Sequence, residues 1–101
     1  MRHTTARLES DFAVILHNKF AQAAEMVLPV GESTGGPDNV HENSDQWLFV
    51  VEGEGSAIVA GEDVHIDRHS LLLIERGEWH EIRNTGGTPL RTLNLYVPPE
   101  Y

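Results

Sequence analysis

Short β-prone runs separated by turn residues are the feature that most constrains the fold of this chain. The runs follow one another at intervals of roughly ten residues, and no window repeats its apolar residues at the helical period. We predict eight strands: Phe12–Leu16, Ala21–Val30, Gln46–Glu52, Ser56–Ala60, Asp63–Ile66, Ser70–Glu75, His80–Arg83 and Leu90–Val97. Gly, Pro, Asn and Asp lie between these runs. The pattern therefore predicts an all-β sandwich or barrel.

Length and charge exclude several classes of function. The 101 residues support one domain, with residues 1–10 as a polar lead-in and residues 11–101 as the folded unit. The formal net charge of −9 repels phosphate backbones and anionic lipid, so we expect no nucleic-acid or membrane partner. The chain has no cysteine, which excludes disulfides and thiolate metal sites. No apolar run is long enough for a signal peptide or membrane span, and we expect a cytoplasmic location.

Two of the predicted strands carry apolar residues on both faces. These are Trp47–Val51 and Leu71–Ile74. A strand with one solvated face alternates apolar and polar residues, so both faces of these strands are expected to be covered. The barrel interior covers one face, and either the N-terminal segment or a second subunit covers the other. For a chain this small we predict a homodimer.

Two of the six histidines stand out as candidate functional residues. His41 follows Asn39 with one residue between, so the two side chains share a face if that stretch is extended. Gln46 opens the next apolar strand, and His80 enters a late strand after Gly77. Imidazole is the acid–base group of neutral pH and the commonest metal ligand, which makes this set a candidate site. The other four histidines lie in the lead-in, in turns or at a strand edge, where we expect them to be solvated.

The spacing of these residues resembles the two motifs of the cupin family. The spacing of the first motif is matched by Asn39 and His41, by Gln46 after four further residues, and by Gly53 after six more. The second motif is matched by Gly77, His80 and Asn84. Five motif positions differ: Ser33 and His69 stand at glycine positions, Glu75 at the proline position, Asn39 at a histidine position and Gln46 at the glutamate position. The grouping of Val40, His41, Asp45 and Gln46 is similar to that of short single-domain cupins.

The resemblance implies a jelly-roll barrel, the double-stranded β-helix, with one divalent metal at its mouth. Carried over position by position, the metal ligands would be Asn39, His41, Gln46 and His80. An amide replaces the first histidine of the family pattern and another replaces its only carboxylate, and neutral amides are weak ligands for transition metals. Two imidazoles remain, which favour Zn, Ni, Fe, Co, Cu or Mn. Asp45, beside Gln46, is a candidate substitute carboxylate. The alternative is a polar barrel mouth that binds a small molecule without metal.

The function that this implies is the binding of a small molecule in the barrel through a modified metal site, with isomerase-type or oxygenase-type chemistry as an open possibility. The alternative is a metal-free ligand-binding or sensor module, and a third possibility is a structural role in an assembly. Arg83 and Arg91 are candidates for holding an anionic ligand, although surface ion pairs are the better explanation for each. Whether the chain is an enzyme stays open at this point.

Two further patterns are explained by turns. His65, Asp67 and His69 have the spacing of a two-histidine, one-carboxylate metal site on one strand, but the predicted turn at residues 67–69 breaks the shared face. Residues 31–35 match the Gly-x-Ser-x-Gly nucleophile elbow. That elbow requires a following helix and a much longer hydrolase chain, so we interpret the segment as a loop.

Overall fold

The computed structural model of the chain describes residues 1–36 and 39–101, with residues 37 and 38 placed only as members of a strand. The described residues form strands and connecting turns, which confirms the all-β prediction. The nine strands are β1 (Phe12–His17), β2 (Gln22–Leu28), β3 (Ser33–Val40), β4 (Asp45–Glu52), β5 (Gly55–Val59), β6 (Glu62–Ile66), β7 (Leu71–Ile74), β8 (Trp79–Asn84) and β9 (Leu90–Val97).

The strands form two antiparallel sheets around one apolar core. The larger sheet has the order β1-β2-β9-β4-β7, and the smaller has the order β3-β8-β5-β6. Side chains alternate between the core and the outside along β4, β8 and β9, as the period of two requires. Nine buried apolar side chains fill the space between the sheets: Met26, Leu28, Leu48, Val50, Ala57, Ile66, Ile74, Ile82 and Leu90. The polar candidate residues lie at one end of this core.

The strand β3 corrects the sequence-based prediction of eight strands. The run from Gly35 to residue 38 is predicted as a turn because it combines glycines with a proline, and residues 37 and 38 lie outside the described residues. The structure instead pairs both glycines with β8, in a register that runs from Ser33↔Arg83 to Gly36↔His80 and resumes at Val40↔Trp79. β3 is an edge strand with an irregular register between Gly36 and Val40. Edges and bulges are the places where a sheet tolerates glycine and proline.

The outer face of the larger sheet is apolar, as the sequence predicts. Cross-strand pairs place Leu73 beside Trp47 and Trp47 beside Leu95, and a second row joins Leu71, Phe49 and Leu93. Trp47, Leu71 and Leu95 are 40%, 64% and 47% exposed in the single chain. Thr4 and Ala6 of the N-terminal segment line one edge of this face. That segment therefore borders the apolar face but leaves these side chains open.

The N-terminal segment is held to the larger sheet by polar contacts. The backbone amides of Glu9 and Ser10 donate to the buried Glu25 carboxylate at 3.0 and 3.1 Å. Arg91 donates to the carbonyl oxygen of Leu8. The hydrogen bonds, led by that from Ser10, hold the pKa of the Glu25 carboxyl below its usual range.

None of the described residues belongs to a helix that could cross a membrane. The cytoplasmic location and the domain boundary at residue 11 stay predictions from the sequence.

Candidate functional site

Three strands direct polar side chains into one end of the barrel. Gln46 shares the inward face of β4 with Leu48 and Val50, whereas Trp47 and Phe49 point outward. His80 likewise shares the inward face of β8 with Ile82. β9 contributes a longer polar row, in which Thr92, Asn94 and Tyr96 are all buried. The inward-facing side chains of these strands are thus apolar in the core and polar towards one end of the barrel.

These side chains surround a cavity of about 120 Å³. Its lining residues come from both sheets and from the segment after the last strand: Phe12, Met26, Thr34, Gly35, Asn39, His41, Gln46, His80, Ile82, Tyr96 and Tyr101. The cavity includes all four residues that the sequence places in the candidate site. Its volume is enough for a metal ion with a few waters, or for a molecule of several non-hydrogen atoms.

His80 is buried and fixed on both ring nitrogens. Its Nδ1 lies 3.3 Å from the carbonyl oxygen of Glu78, and its Nε2 lies 3.1 Å from the amide nitrogen of Asn39. A carbonyl oxygen only accepts, so Nδ1 carries the proton and Nε2 accepts from Asn39 in the neutral ring. Burial lowers the pKa of His80, and the nearby His41 lowers it further. His80 is therefore a neutral imidazole whose Nε2 lone pair faces the cavity.

His41 follows β3 directly, and its ring centroid is 5.0 Å from that of His80. Its Nδ1 lies 3.2 Å from a carboxylate oxygen of Glu100. The His41 side chain is 9% exposed and that of Glu100 is 25% exposed, so water screens this contact only in part. The carbonyl oxygen of His41 also accepts a hydrogen bond from the amide of Gly77, which ties this loop to the turn before β8.

Gln46 carries a buried oxygen without a partner. Its Nε2 donates to Oδ1 of Asn94 at 3.0 Å, and Nδ2 of Asn94 donates to Oγ1 of Thr92 at 3.0 Å. This chain of hydrogen bonds fixes the Gln46 amide so that Oε1 is the acceptor left over. Among the described residues, Gln46 Oε1 is the one buried side-chain polar atom without a hydrogen bond. An unpaired buried acceptor costs about 1–3 kcal/mol, so this oxygen is available to accept from a water or a ligand or to contact a cation.

Asn39 reaches His80 because β3 and β8 approach closely at Gly35. That glycine has a φ of +95°, and a Cβ there would lie 2.4 Å from the carbonyl oxygen of His80 and 2.7 Å from the amide nitrogen of Asn39. Both the backbone conformation and the space exclude a side chain. The glycine that makes β3 hard to predict from sequence is thus the residue that lets Asn39 contact His80.

Aromatic rings close the cavity on the side of the larger sheet. The rings of Tyr96 and Tyr101 meet edge to face at 5.1 Å, and Phe12 lies 4.9 Å from Tyr101. His41 lies 5.4 Å from Tyr96. Burial, together with the neighbouring Tyr101 hydroxyl, raises the pKa of the Tyr96 phenol far above its ordinary value, so this hydroxyl stays protonated.

The other carboxylates and arginines considered from the sequence do not enter the cavity. Asp45 faces the opposite side of β4 from Gln46 and forms an ion pair with Arg76 at 3.1 Å, so the expectation of a substitute carboxylate there is wrong. Arg76 also holds the pKa of Asp45 below its usual range. Arg83 pairs with Glu81 on the surface, and Arg91 pairs with Glu52.

The second histidine pattern is not a site either. His65 contacts carboxylate oxygens of Glu54 and Asp67 at 3.6 and 3.9 Å, and all three side chains are more than half exposed. His69 lies within the turn with a φ of 73°, and its ring stacks against that of Phe49 at 6.0 Å. The turn separates the face that a continuous strand would have shared, as predicted.

The structure adds residues that the sequence analysis missed. The alternation along β9 was sufficient to place Asn94 and Tyr96 inward beside Gln46. Glu100 and Tyr101 had no such signal, because they follow the Pro98-Pro99 pair and belong to no strand. Their approach to His41 depends on where the chain runs after β9, which only the three-dimensional structure shows.

A divalent metal ion is the group that the cupin-like spacing implies, and the donor atoms can be tested for it. Within the described part of the chain, no group of three or more His, Asp, Glu or Cys side chains is arranged to hold an ion. The imidazoles of His41 and His80 and the Gln46 amide, which carries the unpaired oxygen, nevertheless line one cavity. Imidazole nitrogen with amide oxygen suits a late transition metal, bound less tightly than by a set that includes a carboxylate. The residues fit such an ion.

Comparison with known proteins agrees with this fold. Residues 24–96 match the family model of the cupin domain. An oxalate-binding protein from Thermotoga maritima is 35% identical, over 81% of this chain and 66% of that protein. The chain spans about half the length of two other curated relatives that it matches, 47% and 46%.

Solved structures show the same fold. A protein from Bacillus halodurans superposes with a TM-score of 0.87 at 27% identity, over 94% of this chain and 75% of that one. A predicted oxalate decarboxylase from Thermotoga maritima superposes with a TM-score of 0.77 at 32% identity, over 87% of this chain and 79% of that one. These similarities confirm the double-stranded β-helix predicted from the sequence.

Proposed function

Because this chain belongs to the cupin family, we propose that it binds a small polar molecule in its barrel through a divalent transition-metal ion held by His41, His80 and Gln46. The unpaired Oε1 of Gln46 is the observation that carries this proposal, since it leaves a buried acceptor facing two imidazoles. A cation satisfies the acceptor and both Nε2 lone pairs at once. Zn, Ni, Fe, Co, Cu and Mn are the candidate ions, because imidazole binds these metals well.

In this proposal the Asn39 side chain occupies the coordinating nitrogen of His80 until an ion binds. Its amide nitrogen is 3.1 Å from His80 Nε2, so the same nitrogen lone pair serves either Asn39 or an ion. Rotation of the Asn39 amide would replace its nitrogen by its oxygen and turn a competing donor into a ligand. The proposed site thus has two strong donors, two amide oxygens and positions left open for a ligand.

The ligand is proposed to be small and to carry oxygen donors. The described lining of the cavity includes no lysine or arginine, so a phosphate group would find no counter-charge there. When bound, the metal would supply Lewis-acid polarisation of a ligand oxygen. The chain's own residues orient the ligand: Tyr96 offers a hydroxyl donor, and the aromatic side of the cavity excludes water. Small carboxylates and enols have this chemistry, and the similarity to an oxalate-binding protein supports that class.

The first test is calorimetric titration of untagged, chelator-treated protein with Zn²⁺ and Ni²⁺. We expect one ion per chain for the natural sequence, and loss of at least about 10-fold in affinity for His80→Ala. The matched control is His65→Ala, which removes an exposed imidazole outside the cavity. Equal affinities of the natural protein and His80→Ala would contradict the proposal.

Metal-free ligand binding is the second candidate, and a specific contact favours it. The Asn39 amide already occupies His80 Nε2, so both nitrogens of this imidazole are satisfied without an ion. In this reading Gln46 Oε1 accepts a hydrogen bond from the ligand. Binding of a small hydroxylated or carboxylated molecule by chelator-treated protein, unchanged when metal is added, would favour this function over the first.

We also propose that the protein is a homodimer through the apolar outer face of β4, β7 and β9. This face carries two rows of uncharged side chains, centred on Trp47 and Phe49. We assign this face to a second copy of the chain. Two chains of net charge −9 repel each other wherever charged surfaces meet, so the charged faces are unsuited to the contact. An uncharged face is the surface on which they can approach and bury apolar area.

Substitution in the centre of this face should therefore produce a monomer. Leu95→Glu places a carboxylate beside Trp47, and two such charges would face a desolvated interface. We expect light scattering to give twice the mass of one chain for the natural protein and the mass of one chain for Leu95→Glu. Val64→Glu, on the smaller sheet, is the control and should stay dimeric. A monomeric natural protein at micromolar concentration would contradict the proposal.

A further inference from the structure

We propose that Glu100 is a positioning residue that fixes the tautomer of His41 and thereby presents its Nε2 atom to the cavity. The inference deepens the proposed function and rests on it for its metal-binding consequence, but the tautomer itself is a property of the metal-free protein. Glu100 lies outside both cupin-like motifs, more than fifty residues from His41 in the sequence.

The argument starts from the contact between the two side chains. Nδ1 of His41 is 3.2 Å from Oε1 of Glu100. An ionised carboxylate has only acceptor atoms, so the proton of the neutral imidazole must be on Nδ1 for this contact to be favourable. The lone pair of the neutral ring is then on Nε2. A carboxylate that accepts from the outer nitrogen of a metal-binding histidine is a recurring way to fix its orientation and raise its basicity.

His80 is held in the same way by a different acceptor. Its Nδ1 faces the carbonyl oxygen of Glu78, so its lone pair is also on Nε2. The two imidazoles therefore carry their protons on the same ring atom, one held by a side chain and the other by the backbone. A pair of histidines prepared in this way is suited to share one ligand or ion between their Nε2 atoms.

Glu100 is itself held in place by a buried amide. Gln22 of β2 is 5% exposed, and its Oε1 accepts hydrogen bonds from the backbone amides of Glu100 and Tyr101 at 3.2 and 2.9 Å. Its Nε2 donates to the carbonyl oxygen of Tyr101 at 2.6 Å. Ser44, three residues after His41, donates to the carbonyl oxygen of Pro98 at 2.7 Å. These contacts fix the 98–101 segment against the loop that carries His41.

Burial distinguishes this pair from the ion pairs on the surface. His65 and Glu54 are also within 4 Å, but both side chains are more than half exposed, where a contact of this kind contributes little. His41 is 9% exposed and makes ring contacts with Tyr96 and Tyr101. Its ring is therefore restrained by packing as well as by the carboxylate.

The decisive experiment is long-range proton–nitrogen correlation NMR of the imidazoles in metal-free protein, at a pH where they are neutral. We expect His41 to be the Nδ1–H tautomer in the natural protein and to move towards Nε2–H in Glu100→Ala. Glu100→Gln retains an acceptor oxygen and should keep the natural tautomer. Gln22→Ala, which releases the 98–101 segment, should reproduce the effect of Glu100→Ala. An unchanged His41 tautomer in Glu100→Ala would overturn the inference.

Metal affinity provides a second readout with a matched control. Glu100→Ala should weaken Ni²⁺ binding by about 10- to 100-fold, the range typical of carboxylates behind a metal-bound histidine. Glu81→Ala removes the same charge from β8 without touching either imidazole, and its affinity should match the natural protein. Equal losses in the two variants would overturn the positioning role. If the natural protein binds no metal, the proposed function fails, while the tautomer measurement still decides the role of Glu100.

Discussion

Replacing Gln46 with glutamate is expected to tighten divalent-metal binding by about 10- to 100-fold, the scale on which single groups around a metal change its affinity. The substitution restores a carboxylate at the position where the motif has an amide. An anionic oxygen would then face the cation where the neutral Oε1 now stands unpaired. The gain depends on a carboxylate oxygen taking the place of Oε1, so this variant tests whether the side chain at position 46 reaches the ion in the cavity.

The same substitution should destabilise the metal-free protein. Glutamate cannot donate to Oδ1 of Asn94, and a buried carboxylate without a counter-charge raises its own pKa. We therefore expect the thermal midpoint of the apo variant to fall and the rise on adding Ni²⁺ to be larger than in the natural protein. Asn43→Asp, which adds a carboxylate on the exposed loop before β4, is the control for charge alone. A Gln46→Glu affinity no higher than that of Asn43→Asp would contradict the proposed site.

Leu48→Ala is expected to lower the free energy of unfolding by about 2–5 kcal/mol, the range for a leucine-to-alanine substitution that leaves a cavity in a core. Leu48 is fully buried on the inward face of β4, between Gln46 and Val50. A chain of about 100 residues has about 5–15 kcal/mol in total, so this loss is a large share of its stability.

Urea unfolding followed by tryptophan fluorescence measures this effect, with all variants compared at one protein concentration. Val64→Ala, at a 45% exposed position on β6, is the control and should change the free energy by less than about 0.5 kcal/mol. A loss below about 1 kcal/mol for Leu48→Ala would mean that the space between the sheets is not packed as the structure places it.

The sequence predicted most of the fold because strand alternation and turn residues are local signals. β4, β7, β8 and β9 were predicted within a residue or two. β3 was missed because its glycines are also turn residues. What makes them strand residues is the close approach of β8 at Gly35, a contact between segments about 45 residues apart.

The candidate site divides in the same way. The motif spacing predicted that Asn39, His41, Gln46 and His80 would be neighbours, and the structure places all four around one cavity. The sequence did not predict which atoms are satisfied. Three features of the site depend on side-chain packing between segments distant in sequence. They are the unpaired Oε1 of Gln46, the ion pair of Asp45 with Arg76, and the contact of Glu100 with His41. Whether the four residues bind metal stays a proposal.

Anomalous diffraction at the absorption edge of nickel, from crystals of untagged protein soaked with Ni²⁺, tests the central claim most directly. We predict a single strong peak in the cavity, within coordination distance of both His41 and His80, and its absence from crystals of His80→Ala soaked in the same way. A cavity without a peak in the natural protein, or a peak at surface histidines such as His65 alone, would contradict the metal site.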